Sequence, residues 1–154
     1  MKKIFIVFIV CCLLLSISGC GGEQGGEYSC TIRITCGELL ENIDLLDEEK
    51  RSLVPEDGIL LDDCVVSFSE GDSVFDILLR AVRENNIHME YSTSPVFNTS
   101  YIEGIGNLYE FDCGAESGWK YSVNDEIPSL GASAYDAGDG DIIEFFYALE
   151  AGEF

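Results

Sequence analysis

The sequence predicts an α+β domain, and three observations carry that prediction. Cys30 to Cys36 alternate strictly between apolar and polar side chains, residues 73–86 repeat apolar side chains at helical spacing behind a capping serine, and a train of short aromatic and β-branched runs follows. Two strands, one long helix and then several strands is the order of a β-grasp-like mixed sheet packed on one main helix.

In chain order, Lys2-Lys3 precede an uninterrupted apolar run from Ile4 to Leu15, and small residues then lead to Ile17-Ser18-Gly19-Cys20. Charge, apolar core and processing site in that order predict a signal peptide over residues 1–19. The run is short for a bilayer span, and a thiol directly after Ser-Gly resembles the bacterial lipobox, whose cysteine takes a diacylglycerol before cleavage. The expectation is an exported chain, lipid-anchored through Cys20 to the outer face of the bacterial cell membrane. Residues 20–28 read as a Gly/Glu tether with a reach of roughly 15 Å, and residues 29–154 as one folded domain.

Removing 19 of 154 residues leaves 135, enough for a single core. All 29 acidic residues remain against six basic ones, so the mature charge is −23 with His88 neutral. Such a field repels nucleic acid and anionic lipid surfaces.

Within the domain, Cys30, Ile32, Ile34 and Cys36 share one face of a half-buried first strand, with Thr31, Arg33 and Thr35 on the other. Leu39 to Leu53 places leucines among charges and reads as one or two short helices stopped by Pro55-Glu56-Asp57-Gly58. Val65 to Phe68 follows as a second strand. Gly71-Asp72-Ser73 caps the helix 73–86, whose Val74, Ile77, Leu78, Ala81 and Val82 lie along one side. Short strands are then expected at 88–91, 100–103, 108–111, 119–123 and 142–147.

Four segments in this order carry a family resemblance: Glu70-Gly71-Asp72-Ser73-Val74-Phe75-Asp76, Tyr101-Ile102-Glu103-Gly104-Ile105, Gly118-Trp119-Lys120-Tyr121-Ser122-Val123-Asn124 and Asp139-Gly140-Asp141-Ile142-Ile143-Glu144. Together they resemble the transcobalamin-like C-terminal domain family, over nearly everything from Cys30 to Tyr147. In the vitamin B12 carriers that give the family its name, this small domain closes over a corrinoid held mainly by a separate helical barrel, which this sequence does not contain. Members often read Val-Asn-Gly where this chain has Val123-Asn124-Asp125.

Cys11 and Cys12 leave with the signal peptide and Cys20 is lipidated, which leaves Cys30, Cys36, Cys64 and Cys113 in an oxidising exterior. Two disulfides are expected, with three possible connectivities. Strand geometry favours Cys36 with Cys64, because Cys36 ends the first strand and Cys64 begins the second. Zinc is disfavoured, since spacings of 6, 28 and 49 residues hold no close Cys pair and His88 is the only imidazole. Asp136, Asp139 and Asp141 lack the spacing of a calcium loop and read as a tight turn entering a strand. No metal or cofactor is expected.

Catalysis also finds little support, because no serine sits in a nucleophile motif and His88 reads as a surface or half-buried strand residue. Aromatics are the better clue. Tyr101, Trp119, Tyr121 and Tyr135 combine ring faces with polar edges that suit a corrinoid or sugar surface, and Asn124, at the turn the family motifs mark, adds an amide. Trp119 and Tyr121, two apart on one strand, serve equally well as core residues. The expected function is a non-catalytic surface lipoprotein that binds a small ligand, such as cobalamin or another corrinoid, and delivers it to a membrane transporter. The alternative is a surface adhesion or structural module that binds protein or glycan.

Overall fold

The computed structural model describes residues 28–94 and 99–150. The expected signal peptide, the expected lipidation site at Cys20 and residues 21–27 of the expected tether lie outside the described residues.

The fold is α+β, built on a four-stranded mixed sheet. Strand β1 (Tyr28–Thr35) runs antiparallel to β2 (Ile59–Phe68) and parallel to β7 (Ile142–Ala148), and β7 is antiparallel to β6 (Gly118–Val123), giving the order β2-β1-β7-β6. A separate three-stranded sheet, β3-β4-β5, joins β3 (Met89–Ser94), β4 (Thr99–Ile105) and the short β5 (Leu108–Tyr109). Alternation puts Cys30, Ile32 and Ile34 of β1 on the same face as Ile143 and Phe145 of β7, all buried.

The main helix, α2 (Val74–Glu84), covers that face. Its capping box is complete: Asp76 N–H donates to the Ser73 hydroxyl at 3.2 Å, and Ser73 N–H donates to the Asp76 carboxylate at 2.9 Å. Gly71, at φ +88, makes the turn that delivers Ser73 to this position. Val74, Ile77, Leu78, Ala81 and Val82 are all buried, as their spacing requires, and Phe75 joins them.

Residues 38–53 form a short helix α1 (Glu38–Glu41) and two 3-10 turns, Ile43–Leu45 and Glu48–Leu53. This insertion builds a second apolar cluster of Cys36, Leu39, Leu46, Leu108 and Tyr147 beyond the strand ends. Lys50 holds it in place through an ion pair with the largely buried Asp112 carboxylate at 2.5 Å.

The structure corrects the expected disulfides. Cys30, Cys36, Cys64 and Cys113 are all free thiols. The favoured Cys36 with Cys64 pairing fails because β2 begins at Ile59 rather than near residue 65. Cys64 therefore lies opposite Ile32, while Cys36 sits past the end of the ladder with its N–H on the Gly58 carbonyl at 2.7 Å. Cys36 and Cys113 belong to the second cluster, and Cys30 and Cys64 to the first.

Candidate ligand-binding groove

The register of β6 on β7 sets Trp119 opposite Tyr147 and Tyr121 opposite Phe145, so both β6 aromatics face the helix side of the sheet. The Tyr121 ring stacks on Phe145 at 5.6 Å and meets Tyr135 edge-on at 6.3 Å. Burial raises its hydroxyl to about 12, and that hydroxyl donates to the Leu130 carbonyl at 2.6 Å. Trp119 packs edge-on against Tyr147 at 5.4 Å and donates its indole N–H to the Leu108 carbonyl at 2.8 Å. Its ring thus belongs to the core at one end.

The other end opens onto a groove of about 280 Å³ between β4, β6 and the segment 127–131. Tyr101 and Ile102 form one wall, Trp119 and Tyr121 the floor, and Ile127, Pro128 and Leu130 the far wall. Three rim residues stay well exposed, Tyr101 at 56%, Ile127 at 57% and Leu130 at 54%. The Tyr101 hydroxyl donates to the Glu110 carboxylate, which pushes the phenol up to about 12 and fixes the ring beside the opening. Gly104 completes the β4 motif, because a Cβ there would lie 2.6 Å from the Tyr109 ring.

Three of the five residues expected to meet a ligand, Tyr101, Trp119 and Tyr121, therefore converge on one groove. Tyr135 stands behind Tyr121, and its carbonyl accepts the first N–H of α2 at 2.9 Å. Asn124 lies at the far end of β6, with its side chain fully engaged: the amide donates to Asp141 at 2.9 Å and its oxygen accepts Ile142 N–H at 3.0 Å. Asn124 and Asp125 both adopt positive φ, 52° and 67°, as a hairpin turn of the primed type demands. Sequence reading missed Ile127, Pro128 and Leu130. Their only signal is a proline between two large apolar residues in a segment otherwise lacking periodicity.

The remaining polar groups are tied up locally. His88 sits beside the Glu90 carboxylate at 3.1 Å, and Tyr109 donates to the same carboxylate at 2.9 Å, which lowers the Glu90 carboxyl and raises the Tyr109 phenol. Asp139 accepts Ser29 N–H at 2.9 Å and Asp141 accepts Gly138 N–H at 2.7 Å, so these carboxylates build the turn into β7. Among the described residues no cluster of three His, Cys, Asp or Glu side chains is placed to hold a metal ion, and no helix is long and apolar enough to cross a membrane.

A family model described as Domain of unknown function (DUF4430) matches residues 71–148. No curated protein matches the chain. Among solved structures, haptocorrin in complex with Cbi is similar at 14% identity and a TM-score of 0.57, over 82% of this chain and 26% of haptocorrin. The chain thus spans about a quarter of that protein's length. A provisionally described metal binding protein from Ruminococcus gnavus ATCC 29149 is similar at 13% identity and a TM-score of 0.46, over 79% of this chain and 97% of its own.

Proposed function

The chain belongs to the Domain of unknown function (DUF4430) family, and we propose that it is an exported, non-catalytic binding protein, anchored through Cys20, whose groove receives one face of a small flat ligand. The candidate ligand is cobalamin or another corrinoid, handed on to a membrane transporter. The observation that carries this reading is the convergence of Tyr101, Trp119 and Tyr121 on one open apolar groove.

Size and shape narrow the ligand. Pockets that enclose a drug-sized molecule hold roughly 300–1,000 Å³, so an open groove of about 280 Å³ covers only part of a macrocycle. Trp119 and Tyr121 give the groove an aromatic base, and the exposed rim of Tyr101, Ile127 and Leu130 adds area that a bound ligand covers. The likeness to haptocorrin, solved in complex with Cbi, supports the same choice of ligand class at the level of fold. Calorimetry of the chain from Tyr28 onward against cobalamin and cobinamide tests the reading, and saturable heat at micromolar ligand is the expected result.

A further inference from the structure

His88, Glu90 and Tyr109 bring three donor atoms together on the three-stranded sheet. Ladder register sets Glu90 of β3 opposite Gly104 of β4, and Gly104 opposite Tyr109 of β5, so these positions form one row across the sheet. Glycine in the middle of the row lets the Tyr109 ring lie across it, where a Cβ would sit 2.6 Å from a ring carbon. The Tyr109 hydroxyl thereby reaches Glu90 Oε1 at 2.9 Å and His88 Nε2 at 3.4 Å, while His88 Nε2 and Glu90 Oε1 are 3.1 Å apart. The tyrosine is held in place: Lys50 Nζ stands 5.2 Å from its ring centroid, and its N–H donates to Asp112 at 2.9 Å.

We propose that these side chains hold a divalent transition-metal ion through His88 Nε2, a Glu90 carboxylate oxygen and the Tyr109 oxygen. Metal bonds of about 2.0–2.2 Å place neighbouring donors about 2.9 Å apart at right angles and about 3.4 Å apart at tetrahedral angles. The observed triangle of 2.9, 3.1 and 3.4 Å spans that interval, so an ion enters with little rearrangement. One imidazole with two oxygens suits nickel, copper or zinc better than magnesium or calcium, which take shells of oxygen alone. The His88 and Glu90 side chains are each 50% exposed, so water completes the coordination.

Charge favours a cation at this place. Glu103 and Asp112 add carboxylates near the phenol, and Asp112 pairs with the Lys50 ammonium at 2.5 Å. In the metal-free chain the phenol proton rests on the bond to Glu90, and it leaves to solvent as the oxygen takes the ion. The ion ties β3 to β5 across β4 and so stabilises the small sheet. None of the three residues lines the aromatic groove, so the inference holds whether or not a corrinoid binds.

His88 is the single histidine of the chain, so its ring resonances report on the site without ambiguity. The full chain in mild detergent, made without a polyhistidine tag, is titrated with Ni²⁺ by calorimetry and by NMR, with excess Mg²⁺ present to occupy the scattered carboxylates. The expected result is saturable one-to-one binding with selective paramagnetic broadening of the His88 ring and a raised thermal midpoint. His88→Ala should abolish all three signals. Glu90→Gln and Tyr109→Phe, which keep the shape of each side chain, should each weaken binding about tenfold or more. No saturable binding, binding undiminished in His88→Ala, or unchanged affinity in either Glu90→Gln or Tyr109→Phe overturns the proposal.

Discussion

Tyr121 donates its hydroxyl to the Leu130 carbonyl at 2.6 Å, and this bond pins the far wall of the groove to its floor. Tyr121→Phe keeps the stack on Phe145 while removing the donor. The expected outcome is a loss of about 0.5–1.5 kcal/mol in urea unfolding, the usual worth of one hydrogen bond, with cobinamide affinity falling several-fold because Leu130 is no longer held. Unchanged affinity in calorimetry would remove the 127–131 segment from the site.

Asn124 gives the opposite expectation. Its side chain bridges Asp141 and Ile142 N–H and its φ is 52°, so Asn124→Ala should cost about 1–3 kcal/mol of stability through lost bonds and left-handed strain yet leave ligand affinity intact. Asp125→Gly should instead add about 0.5–1 kcal/mol, since glycine adopts positive φ without strain. Denaturant midpoints paired with calorimetry separate the two effects.

These positions mark the limits of what the sequence revealed. Alternation read off β1 and the capping serine read off α2 because each element has one buried face and one wet face. The first half of β2 escaped notice because Asp62 and Asp63 break its pattern, and they are tolerated because they lie at an exposed edge paired with Arg33. Strand 108–111 shrinks to Leu108–Tyr109 because Asp112 takes the Tyr109 N–H and Phe111 turns at φ 68. Tyr101, Trp119 and Tyr121 were legible as ring-bearing residues. Their convergence was not, because Tyr101 meets the β6 aromatics only through the packing of β4 beside β6, two strands of different sheets with no local sequence signal linking them.

Two buried thiols and two buried phenols predict a distinctive pH response. Burial raises Cys30 and Cys36 to about 11, with Asp141 and Asp57 adding to the respective shifts, and burial raises Tyr121 and Tyr147 to about 12. Each group is favoured in its protonated form by folding, so its contribution is complete below the ordinary thiol value of 9.0 or phenol value of 10.0 and is lost as pH climbs through the raised value. The urea midpoint should fall progressively above pH 9, and Cys30 and Cys36 should resist alkylation in the folded chain at neutral pH. Rapid labelling of either thiol under native conditions, or a mapped Cys36 to Cys64 bridge, would contradict the structure.

Anchoring is tested at one residue. Cys20→Ala should abolish incorporation of labelled fatty acid and release the protein from the membrane or leave it held by an uncleaved signal. Fatty-acid labelling of the Cys20→Ala form would refute Cys20 as the lipidation site.

The central claim is that the groove of Tyr101, Trp119 and Tyr121 binds a corrinoid, and calorimetric titration of the chain from Tyr28 onward with cobinamide tests it most directly. The account predicts saturable one-to-one binding that weakens by about 1–2 kcal/mol in Tyr101→Ala, the scale of one packed aromatic ring. A flat titration up to high micromolar cobinamide, in protein whose unfolding transition is intact, would contradict it.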